Sequence, residues 1–171
     1  MKRLYLLRHA KSSWDEPGVA DIDRPLAPRG RKAAKRIAAY LRRTGAAPAV
    51  VLCSSALRTR QTLDAIRPAL GGDPEVLVED ELYAADAGTL LTRIRAVPPA
   101  AGSVLLIGHN PGLGDLALSL AGGGDAELLG RLREGLPTGA LATFAIAADA
   151  WDDLAAGGAE LTAYVVPRDL S

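Results

Sequence analysis

The stretch Leu4-Tyr5-Leu6-Leu7-Arg8-His9 is a short apolar run that halts at two polar residues. Four apolar residues bounded in this way read as a buried strand. The same pattern returns at Ser103–Ile107, which is followed by Gly108-His109-Asn110-Pro111. Ala49-Val50-Val51-Leu52-Cys53 is a third such run and Val76-Leu77-Val78 a shorter one, with Ala140–Ala147 and Glu160–Val166 as the last candidates. Helical spacing fills the intervals between these runs. From Gly30 to Thr44 the residues Ala33, Ala34, Ile37, Tyr40 and Leu41 share one face, while six Lys and Arg residues fill the rest as a solvated surface. Ser54 and Ser55 suit an N-cap for a helix running to about Leu70, and Asn110 with Pro111 suits the start of another through Ala121. Further helices are expected at Thr89–Val97 and, after a break at Gly122-Gly123-Gly124, at residues 125–135. Strands alternating with helices predict an α/β domain with a mostly parallel sheet. The last two strands lack a helix-length connection and are expected to form an antiparallel pair. No repeat or linker interrupts the chain, which reads as one domain over 1–171.

The 171 residues carry 20 Lys+Arg against 20 Asp+Glu, so the formal charge is zero. This balance argues against a nucleic-acid binder driven by a basic field. Sixteen of the cations are Arg and four are Lys, and Arg is the residue suited to forked grips on oxyanions. A single cysteine, Cys53, rules out an internal disulfide and a Cys-rich metal site, and is read as packing. The basic start at Lys2-Arg3 is followed by an apolar run too short for a signal peptide, and no stretch reaches transmembrane length. The expected location is the cytoplasm, without a membrane or nucleic-acid partner.

The chain has two histidines, and both stand at the ends of predicted strands. In open α/β sheets, ligands bind at the carboxyl ends of strands. Arg8 precedes His9, and Arg58 falls in the first turn of the helix after the second strand. If the three strands are neighbours, two imidazoles and two guanidiniums meet in one crevice. Such a cluster suits a phosphoryl group. A neutral imidazole would attack phosphorus, and a protonated one would stabilise the equatorial oxygens. The acidic run Glu79-Asp80-Glu81 offers a proton donor for the leaving group, although such runs are commonly solvated turns. Other chemistries lack their signatures: there is no G-x-S-x-G elbow, no Walker A loop and no G-x-G-x-x-G. Two histidines without spaced carboxylates make a poor metal site.

The opening Leu6-Leu7-Arg8-His9-Ala10-Lys11-Ser12-Ser13-Trp14 resembles that of the histidine phosphatase superfamily, the phosphoglycerate mutase-like fold, and more narrowly the SixA-type phosphohistidine phosphatases. The resemblance continues through Asp23-Arg24-Pro25-Leu26, Ser54-Ser55-Ala56-Leu57-Arg58-Thr59-Arg60-Gln61-Thr62, Gly108-His109-Asn110-Pro111-Gly112 and Pro137-Thr138-Gly139-Ala140. It implies a three-layer α/β/α sandwich and metal-independent phosphoryl transfer with no cofactor. It makes His9 the nucleophile, Arg8 and Arg58 the phosphoryl grips and His109 the second imidazole. Ser12 and Asn110 are further phosphate-binding candidates. Glu81 lies nearest the position of the acid found in larger members, though a phosphoramidate leaving group does not require one. Ala10 stands where the common motif has Gly, as in the SixA-like branch. The chain is too short for the insertions that enclose substrates in mutases and phytases, which favours an open pocket. The expected substrates are a phosphorylated protein, such as a histidine-containing phosphotransfer domain, or a small phosphoester. A phosphate-binding protein without catalysis is a third reading. Neutral His9 and protonated His109 predict a bell-shaped pH profile.

Overall fold

The computed structural model describes residues 1–170; Ser171, the end of the expected domain, lies outside the described residues. Its strands are β1 (Lys2–Arg8), β2 (Val50–Ser54), β3 (Glu75–Glu79), β4 (Ser103–Gly108), β5 (Ala121–Gly124), β6 (Leu141–Ile146) and β7 (Ala159–Val165). The helices are α1 (Pro28–Arg43), α2 (Leu57–Ile66), α3 (Ala87–Arg95), α4 (Gly112–Leu120) and α5 (Ala126–Arg133). All seven strands form one sheet in the order β3-β2-β4-β1-β6-β7-β5. β3, β2, β4 and β1 are mutually parallel, and β6 is antiparallel to both β1 and β7, as expected for the last two strands.

The unbroken apolar runs have a direct cause. Successive side chains of a strand point to opposite faces, and both faces of this sheet are covered. Leu4 and Leu6 of β1 join Val50, Leu52, Val104 and Leu106 in one core with α3 and α4. Tyr5 and Leu7 join Val51, Cys53, Leu105 and Ile107 in the other, with Ile37 and Leu41 of α1 and Leu63 and Ile66 of α2. These two cores on either side of the sheet make the three-layer α/β/α arrangement. Cys53 is wholly buried in the second core, where desolvation pushes its thiol up to about 12. No helix is long and apolar enough to cross a membrane among the described residues.

Several local expectations are corrected. Ser54 ends β2 instead of capping α2; Ala56 occupies the N-cap, and the Ser54 hydroxyl accepts from the Ala56 amide at 3.3 Å. α2 stops at Ile66 because Pro68 has no amide to continue it, and a 3₁₀ turn follows over Arg67–Ala69. α4 begins at Gly112, with Pro111 in the cap position and the Asn110 carboxamide accepting from the Gly114 amide at 3.0 Å. The Gly122–Gly124 break is an edge strand, β5, parallel to β7. A side chain at Gly122 would overlap the carbonyl oxygen of Gly157, so only glycine lets that edge close. The buried face of α1 is Gly30, Ala34, Ile37, Ala38 and Leu41, leaving Ala33 and Tyr40 half-buried.

Gly30 also fixes the loop that leaves β1. A Cβ there would overlap the Lys11 carbonyl oxygen, which accepts from the Ala27 amide at 2.9 Å. Gly30→Ala is therefore expected to lower stability by about 1–3 kcal/mol, the usual cost of overpacking. Gly130→Ala, in open space within α5, is expected to raise it by about 0.5–1 kcal/mol through helix propensity. Chemical denaturation midpoints check both signs, and a neutral Gly30→Ala would show that the loop is not clamped there.

Candidate active site

β1, β4 and β2 lie side by side, so their carboxyl ends deliver their residues to one crevice. The register pairs Arg8 with Gly108, and the His9 amide donates to the Gly108 carbonyl at 3.2 Å. His9 and His109 thus leave adjacent parallel strands at the same level, and their ring centroids are 5.2 Å apart. Arg58 comes from the first turn of α2. The resulting cleft of about 250 Å³ is lined by Arg8, His9, Lys11, Ser12, Trp14, Arg24, Arg58, His109, Asn110 and Thr138.

Hydrogen bonds define the state of each ring. His9 Nδ1 is 2.7 Å from the Ala10 carbonyl oxygen. A carbonyl can only accept, so Nδ1 carries the proton and Nε2 keeps its lone pair. The Ala10 amide in turn donates to Thr62 Oγ1 at 3.1 Å, and Thr62 donates to the Arg58 carbonyl at 2.7 Å. The helix that carries Arg58 therefore also anchors the residue that orients His9. His109 Nε2 is 2.7 Å from Ser54 Oγ; when that hydroxyl donates, the other nitrogen, Nδ1, bears the proton. His109 Nδ1, Arg8 Nε and Arg58 Nε are buried without a hydrogen-bond partner among the described residues. Arg8 and Arg58 thus each keep a spare N–H at the cleft, and His109 adds a third when Ser54 donates to its Nε2; such donors suit a tetrahedral oxyanion.

The sequence-predicted residues separate into two groups. Arg8, His9, Arg58, His109, Ser12 and Asn110 line the cleft. The Asn110 side chain is already engaged, donating to the Leu136 carbonyl at 2.7 Å and accepting from Gly114. Glu81 does not join them. It is exposed on the 3₁₀ turn Asp80–Leu82 and lines a separate depression with Asp86, Thr89 and Arg93 of the α3 side. Glu79 is held by a two-pronged ion pair from Arg93 at 2.6 and 3.1 Å. A proton-donor role for Glu81 is thus not supported by its position.

A carboxylate that meets the cleft residues Arg58 and Arg24 is Asp21. Its Oδ2 accepts from Arg58 Nη2 at 3.1 Å and from the Tyr83 hydroxyl at 2.5 Å, its Oδ1 accepts from Arg24 Nε at 3.1 Å, and its carbonyl accepts from Arg58 Nη1 at 2.7 Å. The Tyr83 hydroxyl, then Arg58, hold the Asp21 carboxyl down to about 2. Tyr83 stands edge-on to His109 with centroids 5.6 Å apart. Arg24 lies against the exposed Trp14 indole, 3.4 Å from its centroid. Asp21 sits in the long loop after β1, where no periodicity or spacing marks it. Tyr83 is visible in sequence only as the residue after Leu82.

Burial, above all, pushes both imidazoles down, His9 to about 3 and His109 to about 4; the Arg58 and Arg8 charges add to this, while the Ala10 hydrogen bond and Asp21 oppose it. Both rings are therefore neutral near pH 7. A dianion bound beside both rings is expected to reverse the field and raise the His109 pKa, so that its binding would take up a proton. The sign follows: affinity falls as pH rises through the raised value and levels off above it. Sulfate, which does not titrate here, is expected to bind more weakly at about pH 8 than at about pH 5, with uptake of up to one proton by calorimetry in paired buffers. His109→Gln should flatten the dependence, and a pH-independent wild type would contradict it.

Comparison with known proteins gives the family and the fold. Residues 4–97 match the family described as the histidine phosphatase superfamily (branch 1). The uncharacterized protein Rv1276c of Mycobacterium tuberculosis is 39% identical over 164 residues, covering 95% of this chain and all of the relative. ML1117 of Mycobacterium leprae is 36% identical, again over 95% of this chain and all of the relative. Among solved structures, a protein of Nakamurella multipartitia provisionally assigned as the phosphohistidine phosphatase SixA superposes with a TM-score of 0.81 at 36% identity, covering 97% of this chain and 96% of that one. A similarly assigned protein of Agrobacterium tumefaciens gives 0.82 at 34% identity, over 97% and 98% of the two chains. The chain belongs to the histidine phosphatase superfamily, branch 1.

Proposed function

We propose that this protein is a metal-independent phosphohistidine phosphatase of the SixA type, acting through a phosphorylated His9. The observation that carries this reading is the His9 ring. Its Nδ1 proton is committed to the Ala10 carbonyl, so Nε2 is a neutral nucleophile inside a cationic cleft. In the first step Nε2 attacks phosphorus while Arg8, Arg58 and His109 stabilise the equatorial oxygens. The bond from phosphorus to the substrate nitrogen breaks, and its electron pair returns to that nitrogen. With its other ring nitrogen protonated, the substrate imidazole leaves as a neutral molecule. Water then attacks the phosphorylated His9, releasing phosphate and restoring the Nε2 lone pair. Ser12 adds an anion-facing wall, and Asn110 shapes the loop through Leu136.

Two features favour a nitrogen-linked over an oxygen-linked phosphoryl group. The side-chain carboxyl that meets Arg58, Asp21, is braced by Tyr83 and two Arg residues and held near 2, so it stays ionised and cannot protonate an alkoxide. Glu81, the other candidate, lies outside the cleft. The likeness to the two SixA-assigned structures supports the same preference.

Acid-quenched rapid mixing with a labelled phosphoramidate is expected to trap a labile phosphoenzyme. His9→Ala should abolish the label and lower kcat by about four orders of magnitude or more, as removal of a nucleophile does. Label retained in His9→Ala would refute the assigned nucleophile, and no label in the wild type would favour an anion-binding protein without catalysis. Turnover of a phosphohistidine protein is expected to exceed that of alkyl phosphates, with Glu81→Gln leaving both within about twofold. Good activity on alkyl esters alone would replace this reading by a small-molecule phosphomonoesterase.

A further inference from the structure

The catalytic cleft continues beyond its reacting residues. Lys11 and Thr138, on its wall, also line an adjoining groove of about 470 Å³ whose other polar walls are Arg29, Lys32 and Arg36 of α1 and Arg168 of the last turn. Among the described residues, no acidic side chain lines this groove. α1 itself carries seven Lys and Arg residues and no Asp or Glu, in a chain whose totals are 20 and 20. None of the α1 cations meets a carboxylate in an ion pair among the described residues. A merely solvated helix face ordinarily mixes both signs, because like charges three and four residues apart destabilise the helix. Here the unbalanced row is kept along the edge of the cleft.

The dimensions of the row point to what balances it. Arg29, Lys32 and Arg36 stand at i, i+3 and i+7, one exposed edge of the helix about 10 Å long at 1.5 Å per residue. A single phosphate would be met by one or two of these cations. A row with an apolar floor, formed by Ala33, Pro137 and Val166, matches a polypeptide that presents several carboxylates with apolar residues between them.

We propose that this groove docks an acidic protein surface, whose carboxylates lie on Arg29, Lys32 and Arg36 while the neighbouring phosphorylated side chain reaches His9 past Lys11. As a statement about substrate this rests on the phosphohistidine reading of the cleft; as a statement about binding it is independent of the chemistry. The groove would then select among phosphoproteins, and the cleft would perform the same step on each.

The test compares two triple variants of α1 in the full chain. Arg29→Glu/Lys32→Glu/Arg36→Glu reverses the groove edge; Arg31→Glu/Lys35→Glu/Arg42→Glu makes the same charge change on the rest of the helix. Binding of a fluorescein-labelled peptide of about twelve residues, with Glu at helical spacing, is read by anisotropy at low and high salt. The groove variant is expected to bind about tenfold more weakly, the control variant within about twofold of wild type, and salt to narrow the difference. Turnover of free phosphoramidate should be unchanged in the groove variant, while kcat/KM for an acidic phosphohistidine polypeptide falls in step with binding. Equal losses in both variants, or none in either, would overturn the groove, as would tighter groove-dependent binding of an anionic vesicle or an RNA oligomer than of the peptide. Groove-dependent binding without phosphohistidine turnover would instead overturn the proposed activity and leave the docking surface standing.

Discussion

Parallel pairing of β1 with β4 is the constraint on which the rest of the site depends. The ladder aligns Arg8 with Gly108 and extends one bond further, from the His9 amide to the Gly108 carbonyl. Two parallel strands end in the same direction, so the residues that follow them emerge together. An antiparallel pair would have sent the two imidazoles to opposite edges of the sheet. β4 reaches its place between β1 and β2 because α3 crosses the face opposite to α1 and α2. That change of face opens the crevice at the carboxyl ends of β2, β4 and β1.

The electrostatics of the crevice follow from burial and from what surrounds it. Arg8 and Arg58 attract an anion, and before one binds they help keep His9 and His109 unprotonated. In the proposed reaction His9 would need no base to strip it, because the tautomer set by Ala10 leaves Nε2 with its lone pair. Asp21, itself held by Tyr83, braces the outer side of Arg58, so the guanidinium is oriented from behind while its Nε has no partner among the described residues. The zero net charge of the chain conceals this segregation. Cations gather in the cleft and along α1, whereas acids such as Glu79 and Asp169 are taken up in ion pairs with Arg93 and Arg131.

Much of this arrangement is legible in the amino-acid sequence. The apolar runs at 4–7, 49–53 and 103–107 are long in apolar residues because each strand faces two cores, and the same runs bracket the positions of His9, Arg58 and His109. Other features depend on contacts between distant segments. The Ser54 hydroxyl, suited by type to a helix cap, is drawn to His109 because β2 and β4 are neighbours. Gly122–Gly124, suited by type to a break, becomes a strand because β7 offers it an edge. Asp21 and Tyr83, 62 residues apart in sequence, meet only when the loop after β1 folds over the first turn of α2.

Fold class and family are read from periodicity, strand ends and local motifs, which are properties of short segments, and the same motifs mark Arg8, His9, Arg58 and His109, which meet in one cleft. Strand order and long-range contacts settle which nitrogen of His9 is free, that Asp21 and not Glu81 meets Arg58, and that the cations of α1 continue the cleft as a groove. Those outcomes rest on hydrogen bonds and charges brought within a few ångströms by strand order, which sequence separation does not reveal.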